Sequence, residues 1–559
     1  LAKLRYMQRI IILLSQKFDC VVANPPYMGS GKFNAWMSKW VAEHYPEGKP
    51  DLFASFIQRG FSLTKSSGYN AMVTMQSWMF LGSFEKLRVN ILDSKAIVSM
   101  AHLGARAFDQ IGGEVVQTTA AVLANGNTDV QGSYVRLVNQ NGELTKSQAL
   151  KEAICNPDCG WFYRADQQNF KKIPGSPIAY WASNSELEAF ASGRPLNTLA
   201  EPKQGLSSGN NSHFLRLWWE PILGRVKLDS KDSQDAANSG AKWFPCNKGG
   251  SFRRWYGNNE YLLNWEDNGA EIRRFKGSAI RNPSYYFKEG ITWSSVSSDL
   301  ISMRYSKPSN MFVGGGSTCF AEPQELLYLC ALANCSVVIC LLEIINPTLN
   351  FSEGPVGAIP VILDDNQIDR VNSITKKCID ISSCDWDSYE TSWDFIEQPL
   401  VRHHKSGEPL AFAYESWKAE CDERFYQLKA NEEGLNRIFA QIYHMEDEVP
   451  IEVPLDKVSV HIVFDSEAEV PAEFKNSNYV RTKADEVKSL ISYGVGCIMG
   501  RYSTYAPGLI LADAGQTLAD FKQKVPQAAF LPDEDAIIPV LDDEWFVDDI
   551  VFQFKKWLG

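Results

Sequence analysis

The chain has 559 residues, a formal net charge of −12, 45% apolar residues and 12% aromatics. That length predicts three or four domains, each able to bury a core, and such a composition excludes a disordered chain. No apolar run nears the ~20 residues that a bilayer-spanning helix needs, so no membrane is expected. The acidity is uneven. Residues 1–159 carry 16 Lys+Arg against 12 Asp+Glu, residues 160–365 carry 20 against 20, and residues 366–559 carry 19 against 35. Only the last third is acidic, so the first two remain compatible with a polyanionic partner. The 12 cysteines are scattered, which fits a reducing cytoplasm. Cys155 and Cys159 lie close together, but no second pair has zinc spacing, and no metal site is expected.

In chain order, residues 1–17 read as the end of a helix. Phe18 to Ala23 is short, valine-rich and halted by two prolines, the pattern of a fully buried parallel strand. Asn24-Pro25-Pro26-Tyr27 would therefore stand at the carboxyl end of a strand, where open α/β sheets place their ligands. Apolar residues at helical spacing run from Leu52 to Leu63, with Gly68 expected to stop the helix. Tyr69–Met75 is a second strand, Gln76-Ser77-Trp78-Met79 a loop, Phe84–Leu92 a helix and Ala96–His102 a third strand. Val115–Ala124 and Tyr134–Val138, separated by turn residues, suggest an antiparallel pair.

Asn-Pro-Pro-Tyr behind such a strand resembles the catalytic motif of DNA methyltransferases that modify the exocyclic amine of adenine. Asp51-Leu52-Phe53 opening a helix, then Gly68-Tyr69-Asn70-Ala71-Met72-Val73, resemble the motifs that follow it. The chemistry suits the residues. The N6 lone pair is delocalised into the adenine ring; two acceptors on the two N–H bonds localise it. The resemblance makes the Asn24 side-chain oxygen one acceptor and the Pro25 carbonyl the other. Pro26 stiffens the loop, and Tyr27 offers a ring face to a flipped base. The cofactor implied is S-adenosylmethionine. Its usual glycine-rich loop precedes the motif, yet only 23 residues precede Asn24, too few to hold it. Gly494–Gly500 is glycine-rich but has no strand leading into it. The chain is therefore expected to be the C-terminal portion of a longer protein, inactive alone, with its cofactor-binding residues unknown.

From 160 to 365 tryptophans, Gly, Asn and Ser accumulate, with polar loops at 204–211 and 314–317. Residues 242–288 hold 9 Lys+Arg against 4 Asp+Glu, interleaved with aromatics. Arg253, Arg254, Arg273 and Arg274 are the candidate contacts to double-stranded DNA. The segment is similar to target-recognition domains of type I and type IIG restriction-modification proteins, and Asn346–Leu349 through Ala358–Val361 to their closing stretch. Cys330, Cys335 and Cys340 look like small buried hydrophobes. Helical faces at Trp417, Cys421, Phe425 and Leu428, and at Leu435, Ile438, Phe439 and Ile442, suggest a spacer pair.

Ser392–Phe395, Leu435–Phe439, Ile491–Tyr502 and Pro507–Asp513 resemble the PglX adenine-specific methyltransferases of BREX phage-defence systems. The resemblance covers essentially the whole chain. It implies an α/β fold: the C-terminal half of a Rossmann-like class I methyltransferase sheet (1–159), a mixed α+β target-recognition domain (160–365), a helical spacer (366–450) and a small acidic C-terminal domain (451–559). It also implies site-specific adenine N6-methylation that marks host DNA, with other BREX proteins as possible partners. A type IIG restriction enzyme and a non-catalytic DNA-specificity module remain the alternatives.

Overall fold

The computed structural model describes residues 2–109, 116–126, 130–297, 300–346, 350–542 and 545–558. The chain forms two compact units, residues 1–194 with 341–348, and residues 195–340 with 349–559.

The first unit is built on a six-stranded sheet. Its elements are α1 (Ala2–Ser15), β1 (Phe18–Ala23), α2 (Ala35–His44), α3 (Leu52–Leu63), β2 (Thr64–Met75), α4 (Glu85–Ser94), β3 (Ala96–Gly104), β4 (Thr118–Ala124), β5 (Gln131–Arg136), α5 (Glu143–Cys155), β6 (Phe162–Asp166) and α6 (Asn184–Ser192). The strand order is β1-β2-β4-β3-β5-β6. β1 runs parallel to β2 and β3 parallel to β5, while β4 lies antiparallel between β2 and β3. The carboxyl ends of β1, β2, β3 and β5 thus share one edge. β6 continues this sheet, so the first unit extends past residue 159.

The expected pairing of Val115–Ala124 with Tyr134–Val138 does not form. β4 has a neighbour on each side, and its small residues fit between them; Val115 itself lies outside the described residues. β1 is parallel as expected but not buried: Phe18 is 37% exposed and Val22 79%. It has β2 on one side only, and its outer face opens on an apolar trough of about 450 Å³ lined by residues such as Val22, Val73, Ala101 and Val122. The opposite face carries the core, where Phe53, Ile57, Trp78, Phe84, Leu87 and Ile91 pack on Met72 and Met100. The helix α3 ends at Leu63, before Gly68. Gly68 instead lies in β2, where a Cβ would meet the Asp19 carbonyl at 2.5 Å. Its bare backbone is what lets β2 approach β1 there.

Arg88 braces this core without a carboxylate bonded to it. It is 1% exposed, and it donates to the carbonyls of Trp78 (3.0 Å), Leu81 (2.7 Å), Gly175 (2.6 and 3.0 Å) and Ser176 (3.1 Å). Burial pulls its guanidinium down to about 10, with Glu85 partly offsetting.

The second unit contains two four-stranded sheets. One pairs Trp243–Asn247 with Tyr261–Asn264 and Met311–Phe312; the other pairs Gly290–Ser294 with Met303–Ser306 and Gly316–Phe320. Helices follow. The two apolar faces expected of a spacer pair lie on one continuous helix, Leu410–Tyr443, and its partner is Ile368–Trp386. Cys330 and Cys335 are fully buried and Cys340 half-buried, all three as thiols. Pro347–Leu349, part of the expected closing stretch, lie outside the described residues. Among the described residues no single helix is long and apolar enough to cross a membrane.

Arg88→Ala removes a charged donor from four carbonyls in a closed core. Hydrogen bonds to charged groups contribute about 1.5–3 kcal/mol each, and buried acceptors left unpaired cost more. We expect a loss of roughly 3 kcal/mol or more, read as a lower urea midpoint at unchanged slope. An unchanged midpoint would show the carbonyls to be satisfied otherwise.

Candidate active site

β1 ends at Ala23, and Asn24–Tyr27 leave the sheet at its carboxyl edge. Asn24 is exposed, Pro25 buried, Pro26 exposed and Tyr27 half-buried. The Asn24 side chain makes no hydrogen bond among the described residues. Tyr27 is anchored on two sides: its ring meets Phe53 edge-on at 6.2 Å, and its hydroxyl donates to the Val73 carbonyl at 3.3 Å. Burial pushes its phenol up.

The loop beyond Tyr27 is tied to α3. Asp51 caps that helix by accepting from the Phe53 amide at 3.3 Å, and the same oxygen accepts from the Met28 amide at 3.0 Å. Leu52 donates back to the Met28 carbonyl at 3.0 Å, and Ser30 to that of Pro50 at 2.9 Å. Met28, the residue after Asn-Pro-Pro-Tyr, is therefore tied directly to Asp51 and Leu52 of the Asp-Leu-Phe segment.

Along the same edge sits a polar chain that sequence reasoning missed. The Tyr180 hydroxyl donates to His102 Nδ1 at 3.0 Å, and His102 Nε2 donates to Gln76 Oε1 at 2.7 Å. The Gln76 amide donates in turn to Gln117. His102 is 4% exposed, and burial, with Arg136 and Lys146 adding, pulls its imidazole down to about 3. It is neutral at pH 7, which leaves one ring nitrogen to donate and one to accept. Trp181 packs on Phe80, His102 and Tyr180, and Arg136 lies 4.8 Å over its ring. The available signal was positional: Gln76 directly follows β2, and His102 lies near the carboxyl end of β3.

The four arginines expected at DNA differ in the fold: Arg253 and Arg254 are buried in ion pairs, while Arg273 and Arg274 are exposed. Arg253 is 2% exposed and pairs with Asp385 at 2.8 Å, while also donating to the Tyr256 carbonyl at 2.7 Å. Arg254 pairs with Glu432 at 3.1 Å, whose other oxygen accepts from the Trp255 indole at 2.6 Å. A guanidinium enclosed with its carboxylate is not available to a phosphate. Arg273 and Arg274 are exposed. Arg273 lies 5.1 Å over Trp265 and donates to the Asn268 carbonyl at 2.9 Å, and Arg274 borders a small cavity with Glu266, Asp267 and Glu271. Gly494–Ile498 form the last part of the helix Lys483–Ile498, where Gly494 makes room for Phe554 and Gly496 for Tyr502, and Met499 and Gly500 form the turn after it. Among the described residues no three His, Cys, Asp or Glu side chains converge on a metal-sized site.

Known proteins share much of this chain. Residues 5–108 match the Eco57I restriction-modification methylase family. The adenine-specific methyltransferase PglX of Lacticaseibacillus casei (strain Zhang) is 39% identical over 572 aligned residues, covering 100% of this chain and 45% of that protein. The adenine-specific methyltransferase BrxX of Escherichia coli O9:H4 (strain HS) is 40% identical, covering 99% and 44%. Over essentially its whole length the chain is similar to these adenine-specific methyltransferases of the PglX type. It spans less than half the length of these PglX-type relatives. A solved DNA complex of the Type IIL restriction-modification enzyme MmeI overlaps 76% of this chain and 54% of its own, at TM-score 0.48 and 12% identity, a likeness too low to carry function.

The Arg253–Asp385 pair sets a pH dependence. Burial alone would raise the Asp385 carboxyl, but His461, Arg253 and Arg424 outweigh it and hold it well below the usual carboxylate range. A carboxyl depressed in the folded state stabilises above its unfolded value near 4, and this contribution is lost as pH falls through the folded one. Asp385→Asn leaves Arg253 enclosed without a counter-charge, which costs about 3–5 kcal/mol at neutral pH. Urea midpoints of the two proteins should differ most at neutral pH and converge below about pH 4. A pH-independent gap would show that packing, not charge, is at stake.

Proposed function

We propose that this chain supplies the methyl-acceptor end and the DNA-recognition part of a site-specific DNA adenine N6-methyltransferase that marks host DNA in BREX phage defence. The observation that carries the reading is Asn24. An amide without an internal partner stands at the carboxyl end of a parallel strand, on a loop stiffened by two prolines and bound to α3 through Asp51. The sheet order β1-β2-β4-β3, with β4 reversed, supports reading this region as the C-terminal half of a class I methyltransferase sheet.

The Asn24 oxygen and the Pro25 carbonyl accept from the two N6–H bonds of a flipped adenine, so that the lone pair faces the methyl donor. Tyr27 supplies a ring already fixed against Phe53 and Val73, so a base stacking on it costs no further ordering of that side chain. The implied methyl donor is S-adenosylmethionine. The described residues offer no cradle for it, since the glycine-rich stretch is helical, and no residue here is assigned to it. Sequence choice falls to 160–365, where Arg273 and Arg274 are the pair still exposed to a duplex, with the helices from 366 as spacer and 451–559 as an acidic terminal domain.

In the complete protein, Asn24→Ala should abolish N6-methyladenine and spare DNA affinity. Tyr27→Ala should weaken base capture by about 1–3 kcal/mol, whereas Tyr27→Phe, losing only the bond to Val73, should retain most activity. Full adenine methylation in cells carrying only the Asn24→Ala protein would sink the reading.

A further inference from the structure

With Arg253 and Arg254 withdrawn into ion pairs, another surface of the second unit presents free hydrogen-bond donors. Three segments meet there. Ser207 and Ala279 exchange backbone hydrogen bonds at 2.9 and 2.8 Å, Gly314 donates to the Leu206 carbonyl at 2.9 Å, and Val313 donates to that of Asn247 at 3.0 Å. These ties lock residues 204–211, 277–281 and 313–315 around a cavity of about 560 Å³. The closeness depends on glycine. A Cβ at Gly205 would meet the Val313 carbonyl carbon at 2.3 Å, and one at Gly209, whose φ is +71°, would meet Gly277 at 2.8 Å.

The lining contains no carboxylate. Lys248 and Arg281 border it, and neither forms an ion pair among the described residues. Three other cations of this unit are ion-paired: Lys203 with Glu201, Lys242 with Glu266 and Lys307 with Asp394. Lys248 holds its ammonium 3.9 Å over the Tyr261 ring, which fixes the stem. The asparagines divide their functions. The Asn210 oxygen accepts from the His213 amide at 3.2 Å and from the Ser212 hydroxyl at 2.8 Å, and the Asn211 oxygen accepts from the Ser208 hydroxyl at 2.6 Å. Both amide NH₂ groups have no acceptor among the described residues. Arg281 and the two amides are exposed, and Lys248, half-buried with its ammonium over Tyr261 and Glu260 acting on it, borders them.

A preformed, carboxylate-free, donor-rich groove suits a polyanion dense in acceptors. Resting on the DNA-methyltransferase reading above, we propose that this groove is the duplex-DNA contact surface of the recognition domain. Lys248 and Arg281 meet phosphates, and the Asn210 and Asn211 amides meet base or sugar oxygens and nitrogens. Duplex DNA presents a phosphate acceptor along each strand and further acceptors at the base edges, so one ligand engages both kinds of donor.

The test uses the 559-residue chain and a labelled random-sequence DNA duplex, with affinity measured across a salt series. Lys248→Gln with Arg281→Gln should lower the log–log salt slope by about 0.9 for each phosphate that is no longer neutralised. Lys376→Gln with Lys377→Gln, an equal charge loss on an exposed helical face, should leave it unchanged. Asn210→Ala with Asn211→Ala should weaken binding at constant slope. Melting followed by circular dichroism should match the parent for the Lys248/Arg281 and Lys376/Lys377 variants, whereas the Asn210/Asn211 variant also loses the bonds from His213, Ser212 and Ser208 and its binding is read below its own melting midpoint. An unchanged slope in the Lys248/Arg281 variant, or a parent chain that ignores duplex DNA or prefers duplex RNA, overturns the groove. If that slope is unchanged while the complete protein still methylates adenine, only the groove falls. If the complete protein leaves adenine unmethylated while the slope shifts, the groove stands and the enzymatic reading falls.

Discussion

One oxygen of Asp51 organises the loop at the carboxyl edge of the first unit's sheet. By accepting from both the Phe53 and Met28 amides, it satisfies an orphan donor of α3 and fixes where the chain goes after Tyr27. Other features follow from that clamp. Phe53, the second residue of α3, is placed against the Tyr27 ring, and Tyr27 reaches the Val73 carbonyl on β2. Strand, loop, helix and next strand become one hydrogen-bonded circuit. Asn24 stands at its first corner, with a backbone limited by the following proline and a side chain left to face outward. Rigidity at the base and freedom at the tip are what an acceptor aimed at one amine requires.

Local pattern is informative where neighbours in sequence are also neighbours in space. β1, α3, α4 and β3 lie close to their expected limits, and β2 ends at Met75 as expected but begins at Thr64 rather than Tyr69, because apolar periodicity and terminating prolines are properties of short windows. Sequence and structure part where distant segments decide. Adjacency in sequence favours β5 as the partner of β4; its actual partners are β2 and β3. β1 looks buried because valine-rich runs usually have two neighbours, yet its composition does not reveal that Val22 faces an open trough. Two apolar faces on Leu410–Tyr443 suggest two helices because their offset hides a continuous axis. His102 and Gln76 carry no motif, and only the shared sheet edge joins them.

Charge counting fails in an instructive way. The −16 net of residues 366–559 and the basic stretch at 242–288 look like separate surfaces. In the fold they partly neutralise each other internally. Asp385 and Glu432, from the acidic third, are the counter-ions of Arg253 and Arg254, and Glu486, also buried, pairs with Arg481 within that third. Enclosed charges must be paired, because removal from water is costly and only a close, hydrogen-bonded partner offsets it. A local excess of arginine beside aromatics therefore has two outcomes, a ligand surface or a buried brace. The choice rests on whether a carboxylate from elsewhere arrives.

That criterion distinguishes asparagines held inside the fold from Asn24. The Asn334 amide is fully engaged: its oxygen accepts from the Met303 amide at 2.9 Å, and its nitrogen donates to the Met303 and Cys330 carbonyls at 2.9 and 3.1 Å. Asn70 donates to the Ile57 carbonyl at 3.1 Å. Asn24 is the same residue type without such a partner, on a loop with the same kind of bracing that elsewhere supports a core. Folding tends to pair every buried donor and acceptor, so polar groups left over on a rigid frame are positioned but unused by the fold itself. Asn24 at the strand end and the donors around Lys248 meet that description, whereas Arg253, despite the more suggestive sequence around it, does not.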